Sequence, residues 1–253
     1  MGSNKGRPIK SGVVELQTLA GICRKGAGVG TVIFDLDGTL ADTSGDLIAA
    51  ANACFRDLGH GDMLDPARDQ GTALRGGRAM LRLGFERLGG VDETAIDAQY
   101  PRLLQFYGAH IDVFTQLYPG VVDALERLLS DGYRLGICTN KPEGLAETLM
   151  QSLGVRDMFG SLIGADTLPV RKPDAAPFFE AVARAGGAAA ASLLVGDTVT
   201  DHNTARAAGV PSVLVTFGPG AEAVADLAPD ALLDNYADLD GVVASLIGSV
   251  SKA

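Results

Sequence analysis

TVIFDLDGTL, residues 31–40, joins a buried-strand pattern to a pair of acids. Thr31 to Phe34 is β-branched and apolar, the composition of a strand covered on both faces. Asp35 and Asp37 follow, two residues apart, and then Gly38 and Thr39. Two carboxylates at the carboxyl end of a hydrophobic strand repel each other and lose hydration, which is costly unless something uses them. A bound divalent cation resolves the cost, and so does a proton held by one carboxylate. Both solutions point to chemistry.

Working outward, the pattern changes character twice. Between Asp42 and Thr115 no strand is apparent. Asp46–Leu58 has helical spacing, with Leu47, Ala50, Ala51, Cys54, Phe55 and Leu58 on one face. Ala79–Leu88 repeats the pattern between glycine pairs, and Glu93–Phe114 reads as one or two helices with Pro101 at a turn or kink. From Pro119 strands and helices alternate. Strands are expected at 133–138, 159–163, 192–195, 211–215 and 231–233. Helices are expected at 121–129, 144–153, 173–185, 200–208 and 239–247. Alternation of this kind predicts a parallel sheet covered on both faces. Residues 31–41 and 116–253 then form an α/β core, 42–115 a helical insertion after the first strand, and 1–30 an extension. Within that extension, 13–23 has the spacing of a short helix. The glycine-rich 26–30 precedes the first strand, the wrong order for a dinucleotide fingerprint, and reads as a flexible link.

The bulk properties narrow the function. The chain has 253 residues, 47% hydrophobic and 21% charged, with a net charge of −10. That balance excludes a general nucleic-acid binder, which needs a basic footprint, but not an enzyme with a local cationic site. Three scattered cysteines and three histidines show no ligand spacing, which argues against a zinc site. Glu15 and Gln17 interrupt the weakly apolar N-terminal stretch, and no run is long enough to span a membrane. A cytoplasmic location is expected, as a monomer or homodimer.

Ligands of open α/β sheets bind beyond the carboxyl ends of the strands. Three expected strands end there in polar residues: Asp35 and Asp37, then Thr139 and Asn140, then Asp197 with Asp201 four residues on. Arg171-Lys172-Pro173 lies in a linker before a helix. Each feature alone fits a turn, a solvated lysine or a helix cap. Together they converge on one edge of one sheet and suit phosphoryl transfer. Hard oxygen donors from Asp35 and Asp197 suit Mg²⁺. One aspartate can attack phosphorus and the other can move the proton. Thr139, Asn140 and Lys172 can bind the equatorial oxygens as charge builds.

FDLDGTL at 34–40, CTNKP at 138–142, RKPD at 171–174 and GDTVTD at 196–201 resemble, in order, the four motifs of the haloacid dehalogenase-like hydrolase superfamily. The resemblance implies a Rossmann-like core with a helical cap inserted after the first strand. It implies Asp35 as nucleophile and Asp37 as general acid and base. Mg²⁺ would be held by Asp35, the Asp37 backbone carbonyl and Asp197, supported by Asp201, with Thr139 and Lys172 on the phosphoryl group. The stretches at 41–47, 118–142, 168–178 and 195–213 are similar to bacterial phosphoglycolate phosphatases. That likeness implies a small phosphorylated metabolite as partner, with 2-phosphoglycolate foremost.

In the region where that group often carries a glycine-x-glycine loop, this chain has Leu74-Arg75-Gly76-Gly77-Arg78. Arg75 and Arg78 are therefore candidates to bind a second anionic group of the substrate. Sugar-phosphate phosphatase, phosphomutase and pyrophosphatase activities are the alternatives within the superfamily. A non-catalytic binding protein on the same fold usually lacks one of the catalytic carboxylates, and none is missing here. Asp37 argues against a dehalogenase, and the absence of lysine between 42 and 115 argues against a phosphonatase.

Overall fold

The computed structural model describes Met1 and residues 29–219 and 224–249. The helix expected at 13–23 and most of the glycine-rich link lie outside those residues. The described strands are β1 (Thr31–Phe34), β2 (Ala41–Asp42), β3 (Gln116–Leu117), β4 (Arg134–Cys138), β5 (Ser161–Ile163), β6 (Ser192–Gly196), β7 (Ser212–Val215) and β8 (Ala231–Leu233). Six of them form one sheet in the order β5-β4-β1-β6-β7-β8, with every pairing parallel.

β1 lies in the middle, with Thr31 opposite Arg134 on one side and Ser192 on the other. The chain leaves β1 toward β4 and β5 and later returns on the opposite side through β6. The carboxyl end of β1 is thus the point where strand order reverses, the place where such sheets hold ligands. Alternate residues of β1 supply two cores. Val32 and Phe34 join the larger cluster, and Ile33 joins Phe178, Val182, Leu194 and Ala205 on the other face. The helices around the sheet are α5 (Val121–Ser130), α6 (Glu143–Ser152), α7 (Ala176–Arg184), α8 (Val199–Ala208) and α9 (Leu239–Ile247). The fold is therefore the expected Rossmann-like α/β arrangement.

Between β2 and β3 the chain forms α1 (Ser44–Asp57), α2 (Gln70–Ala73), α3 (Gly77–Arg87) and α4 (Glu93–Ala109), which pack on one another. β2 and β3 pair antiparallel across the two connections, Ala41 opposite Leu117. At two residues each, they are too short to leave a periodic trace in sequence. Beside them Asp46 of α1, 2% exposed, accepts bonds from Phe114 N, Thr115 N and Thr115 Oγ1. The outgoing and returning connections are thereby clamped together.

Two helices differ from expectation. α4 runs unbroken through Pro101, because both Pro101 and Asp97, whose carbonyl loses its partner, face solvent, where water can replace the missing bond. α7 begins at Ala176 rather than Pro173; Asp174 Oδ1 accepts from Ala176 N at 2.8 Å and Pro177 occupies the first turn. Among the described residues no helix is long and apolar enough to cross a membrane.

Candidate active site

Asp35 continues the β1 ladder, its N–H donating to Val195 O at 2.8 Å. Its Oδ1 accepts from Leu36 N at 2.7 Å and lies 3.0 Å from Lys172 Nζ. Oδ2 has no bond among the described residues. Asp37 sits two residues on, 18% exposed at its side chain. Its Oδ1 accepts from Thr43 Oγ1 at 2.6 Å and from Lys141 Nζ at 2.7 Å. Again one oxygen is tied, and its twin has no bond among the described residues.

Asp197 follows β6 and is 8% exposed. Thr39 Oγ1 donates to its Oδ1 at 3.0 Å, while Oδ2 is buried with no hydrogen-bond partner among the described residues. Asp201 lies in the first turn of α8. Its Oδ2 accepts from Thr198 N at 3.1 Å and Thr198 Oγ1 at 2.7 Å, and its Oδ1 from Lys172 Nζ at 2.6 Å. Carboxylate oxygens of Asp35, Asp197 and Asp201 fall within 4.8 Å of one another. A cluster of acids around an orphaned buried oxygen fits a divalent cation with hard oxygen ligands.

Two glycines make this approach possible. Gly38 has φ +81°, and a Cβ there would lie 2.3 Å from Asp197 Oδ2 and 2.9 Å from Leu74 Cδ1. A Cβ at Gly196 would lie 2.3 Å from Asp201 Cβ. Leu74, in the loop between α2 and α3, therefore reaches the turn that follows Asp37.

Burial dominates the electrostatics. It pushes the Asp35 carboxyl up to about 6, with Asp201 and Asp37 adding to the rise and Lys172 opposing it. Burial also raises Asp197 well above the usual carboxylate range, reinforced by Asp201 and Asp35. Burial alone would lower both lysines. Asp201 and Asp35 overcome this for Lys172, and Asp37 foremost for Lys141, so both ammonium groups are held charged.

The sequence-expected residues Asp35, Asp37, Asp197, Asp201, Lys172, Thr139 and Asn140 all come together at this sheet edge. Thr139 is 3% exposed. Its hydroxyl accepts from Lys141 N at 3.2 Å, which leaves its proton to donate. Asn140 Nδ2 donates to Lys172 O at 3.1 Å, so that amide ties two loops together. Arg78 instead pairs with Asp97 at 2.6 Å and lies over the Tyr100 ring. Arg75 is exposed, with a long 3.5 Å contact to Thr72 Oγ1. Among the described residues neither arginine bonds to the acidic sheet edge.

Sequence reading passed over Lys141, Thr39, Thr43, Leu74 and Tyr107. Lys141 carried a usable signal, a lysine directly after Thr139-Asn140 at the end of a buried strand. Tyr107 carried none, since its spacing from Leu103 is that of any core-facing helix residue. Its ring lies 4.4 Å from Lys141 Nζ, and burial pushes its hydroxyl up to about 12 against the pull of Lys141.

Comparison with known proteins agrees with this geometry. A family model described as haloacid dehalogenase-like hydrolase matches residues 32–215. A phosphoglycolate phosphatase of Rhodospirillum rubrum is 40% identical over 215 residues, covering 82% of this chain and 88% of the relative. A phosphoglycolate phosphatase of Caulobacter vibrioides is 36% identical over 223 residues, covering 87% and 92%. The crystal structure of a predicted phosphoglycolate phosphatase from Haemophilus somnus superposes with a TM-score of 0.75 at 26% identity, covering 85% and 97%. The chain belongs to the haloacid dehalogenase-like hydrolases and is a phosphoric monoester hydrolase.

Proposed function

We propose that the protein is a Mg²⁺-dependent cytoplasmic phosphatase that hydrolyses 2-phosphoglycolate through an aspartyl-phosphate. The observation that carries the reaction is the asymmetry of its two leading acids: each has Oδ1 held by donors and Oδ2 free. Relatives named phosphoglycolate phosphatase support the substrate.

Asp35 Oδ2 attacks phosphorus and the bond to the bridging oxygen breaks. Asp37 gives that oxygen its proton, and glycolate leaves. Water then attacks phosphorus while Asp37 takes one of its protons, releasing phosphate and restoring Asp35. Lys172, held between Asp35 and Asp201, and the Thr139 hydroxyl stabilise charge on the equatorial oxygens. Asp35, Asp197 and the Asp37 carbonyl would hold Mg²⁺. Both Asp201 oxygens are already engaged, so Asp201 supports that set from behind. The ion supplies charge neutralisation among the carboxylates and at the phosphate. Residues 42–115 act as a cap that closes the site and selects the substrate.

The test is phosphate release with Mg²⁺ across phosphoglycolate, pyrophosphate, hexose phosphates and nucleoside monophosphates. Phosphoglycolate is expected to give the highest kcat/KM, and Asp35→Asn to lower kcat by about 10⁴-fold or more. Wild type releasing no phosphate from any of them would remove the reaction. A different best substrate would remove phosphoglycolate alone.

A further inference from the structure

Lys141 stands at the carboxyl end of β4 and has no part in the steps above. Its ammonium is 3% exposed, donates to Asp37 Oδ1 at 2.7 Å and faces the Tyr107 ring at 4.4 Å. Tyr107 comes from α4, on the helical side of the molecule, and is 1% exposed. Among the described residues its hydroxyl makes no well-formed hydrogen bond, and the polar group that acts on it is the Lys141 ammonium, a donor that leaves the hydroxyl proton without an acceptor. A buried hydroxyl whose proton has no acceptor is unfavourable, and a ligand oxygen at that point would remove the penalty.

We propose that Lys141 and Tyr107 form the subsite for the carboxylate of a small phosphorylated acid, the inference resting on the phosphoglycolate reading. The bridging oxygen of the ester must lie at Asp37, which supplies its proton. In 2-phosphoglycolate the carboxylate carbon is two bonds from that oxygen. The carboxylate therefore falls on whatever lies beside Asp37, and the cation there is Lys141.

The other cations are placed differently. Lys172 is held between Asp35 and Asp201 on the phosphoryl side. Arg78 is held by Asp97 and Tyr100, and Arg75 is exposed. An ammonium has three donors; one of those on Lys141 goes to Asp37, which leaves others for a carboxylate. The Tyr107 O–H adds a donor from the opposite wall. Because that donor sits on α4, the grip is complete only while the helical segment rests on the sheet edge. A substrate without a carboxylate leaves the remaining lysine donors and the hydroxyl proton unanswered, the kind of loss that gives discrimination.

The experiment compares kcat/KM for 2-phosphoglycolate and for ethyl phosphate, which carries a methyl group in place of the carboxylate. Wild type, Tyr107→Phe and Lys141→Met are measured side by side. Tyr107→Phe deletes one buried oxygen that makes no well-formed hydrogen bond and leaves Lys141 on Asp37, so its fold is preserved even if Lys141→Met is poorly stable. The ratio of the two kcat/KM values is expected to fall about 10-fold in Tyr107→Phe, mainly through KM, and about 100-fold in Lys141→Met. Variants that lose activity equally on both substrates, or that keep the wild-type ratio, overturn the subsite. A wild type with no preference for phosphoglycolate over ethyl phosphate overturns the substrate reading itself.

Discussion

Lys172 at the sheet edge and Arg78 on the helical insert each sit 2.6 Å from an aspartate, yet the surroundings of the two pairs are opposite. The Lys172 and Asp201 side chains are 2% and 1% exposed; those of Arg78 and Asp97 are 53% and 66% exposed. Water screens the outer pair, which therefore contributes little. The inner pair has lost its hydration and survives because Lys172 serves two acids at once, Asp35 as well as Asp201. The same division holds more widely. Arg102–Asp57 and Arg56–Asp62 on the insert are about half exposed, whereas Lys141 at the edge is buried against Asp37. Most charge on the insert keeps its surface solvated; the buried exceptions, Asp46 on Phe114 and Thr115 and Asp69 on Arg87, tie its segments together. Charge at the edge is kept in spite of its desolvation, which is the mark of a site held for chemistry.

The largest effect that would sharpen this contrast comes from Lys172→Met. It leaves Asp35 and Asp201 facing each other, buried and without their shared cation. Removing one partner of such a set costs about 3–5 kcal/mol. The loss of charge at the phosphoryl oxygens lowers kcat by about 10³-fold. Denaturant unfolding and steady-state kinetics on one preparation test both. A variant as stable as wild type, or one that retains a tenth of its activity, would mean that the edge is more hydrated than its burial indicates.

The sequence spoke unevenly about these two regions. The edge was legible because its chemistry is written in short runs fixed to strand ends: Asp35 and Asp37 after TVIF, Thr139 after RLGIC, Asp197 after SLLVG. A parallel sheet then brings those ends together without further information. Lys172 was legible as a residue but not in its bond to Asp201, which bridges 29 positions. The insert was legible as helices and little more. Tyr107 and Leu74 face the site from helix and loop positions whose spacing also suits ordinary packing, so periodicity could not set them apart. Arg75 and Arg78 stood out by charge, but charge alone does not reveal that Asp97 holds Arg78. The clamp of Asp46 on Phe114 and Thr115 joins residues nearly 70 positions apart and has no local signature.

A middle-sized effect concerns cation and pH together. Asp35 is raised to about 6, and Asp197 is raised as well, both by burial first. In the cation-free protein each binds a proton that the unfolded chain, with its carboxylates near 3.8, has already released. The Asp35 contribution is therefore full below about pH 4 and lost as pH rises through about 6, and burial gives Asp197 a dependence of the same sign. Mg²⁺ competes with those protons, so its stabilisation grows from pH 5 to pH 7.5. At about 100 times its Kd it adds roughly 2.7 kcal/mol. Melting temperatures in EDTA and in Mg²⁺ at both pH values measure this. Asp197→Asn is expected to melt higher than wild type in EDTA at pH 7.5 and to lose most of the Mg²⁺ response. An equal Mg²⁺ gain at pH 5 and pH 7.5 would place the ion away from these acids.

The smallest effect comes from the outer pair itself. Arg78→Ala removes one exposed ion pair and one ring contact from the start of α3, and the change in stability is expected to stay within about 0.5 kcal/mol. If Arg78 stays on Asp97 during turnover, kcat/KM for phosphoglycolate changes less than about 3-fold, a loss well under 1 kcal/mol of transition-state binding. A loss of 30-fold or more confined to KM, with stability unchanged, would mean that Arg78 leaves Asp97 to meet the substrate and that the insert contributes a working charge. Asp97→Asn distinguishes the two cases from the other side. Freeing an arginine that is needed elsewhere lowers KM, whereas freeing one that only solvates the surface leaves KM where it was.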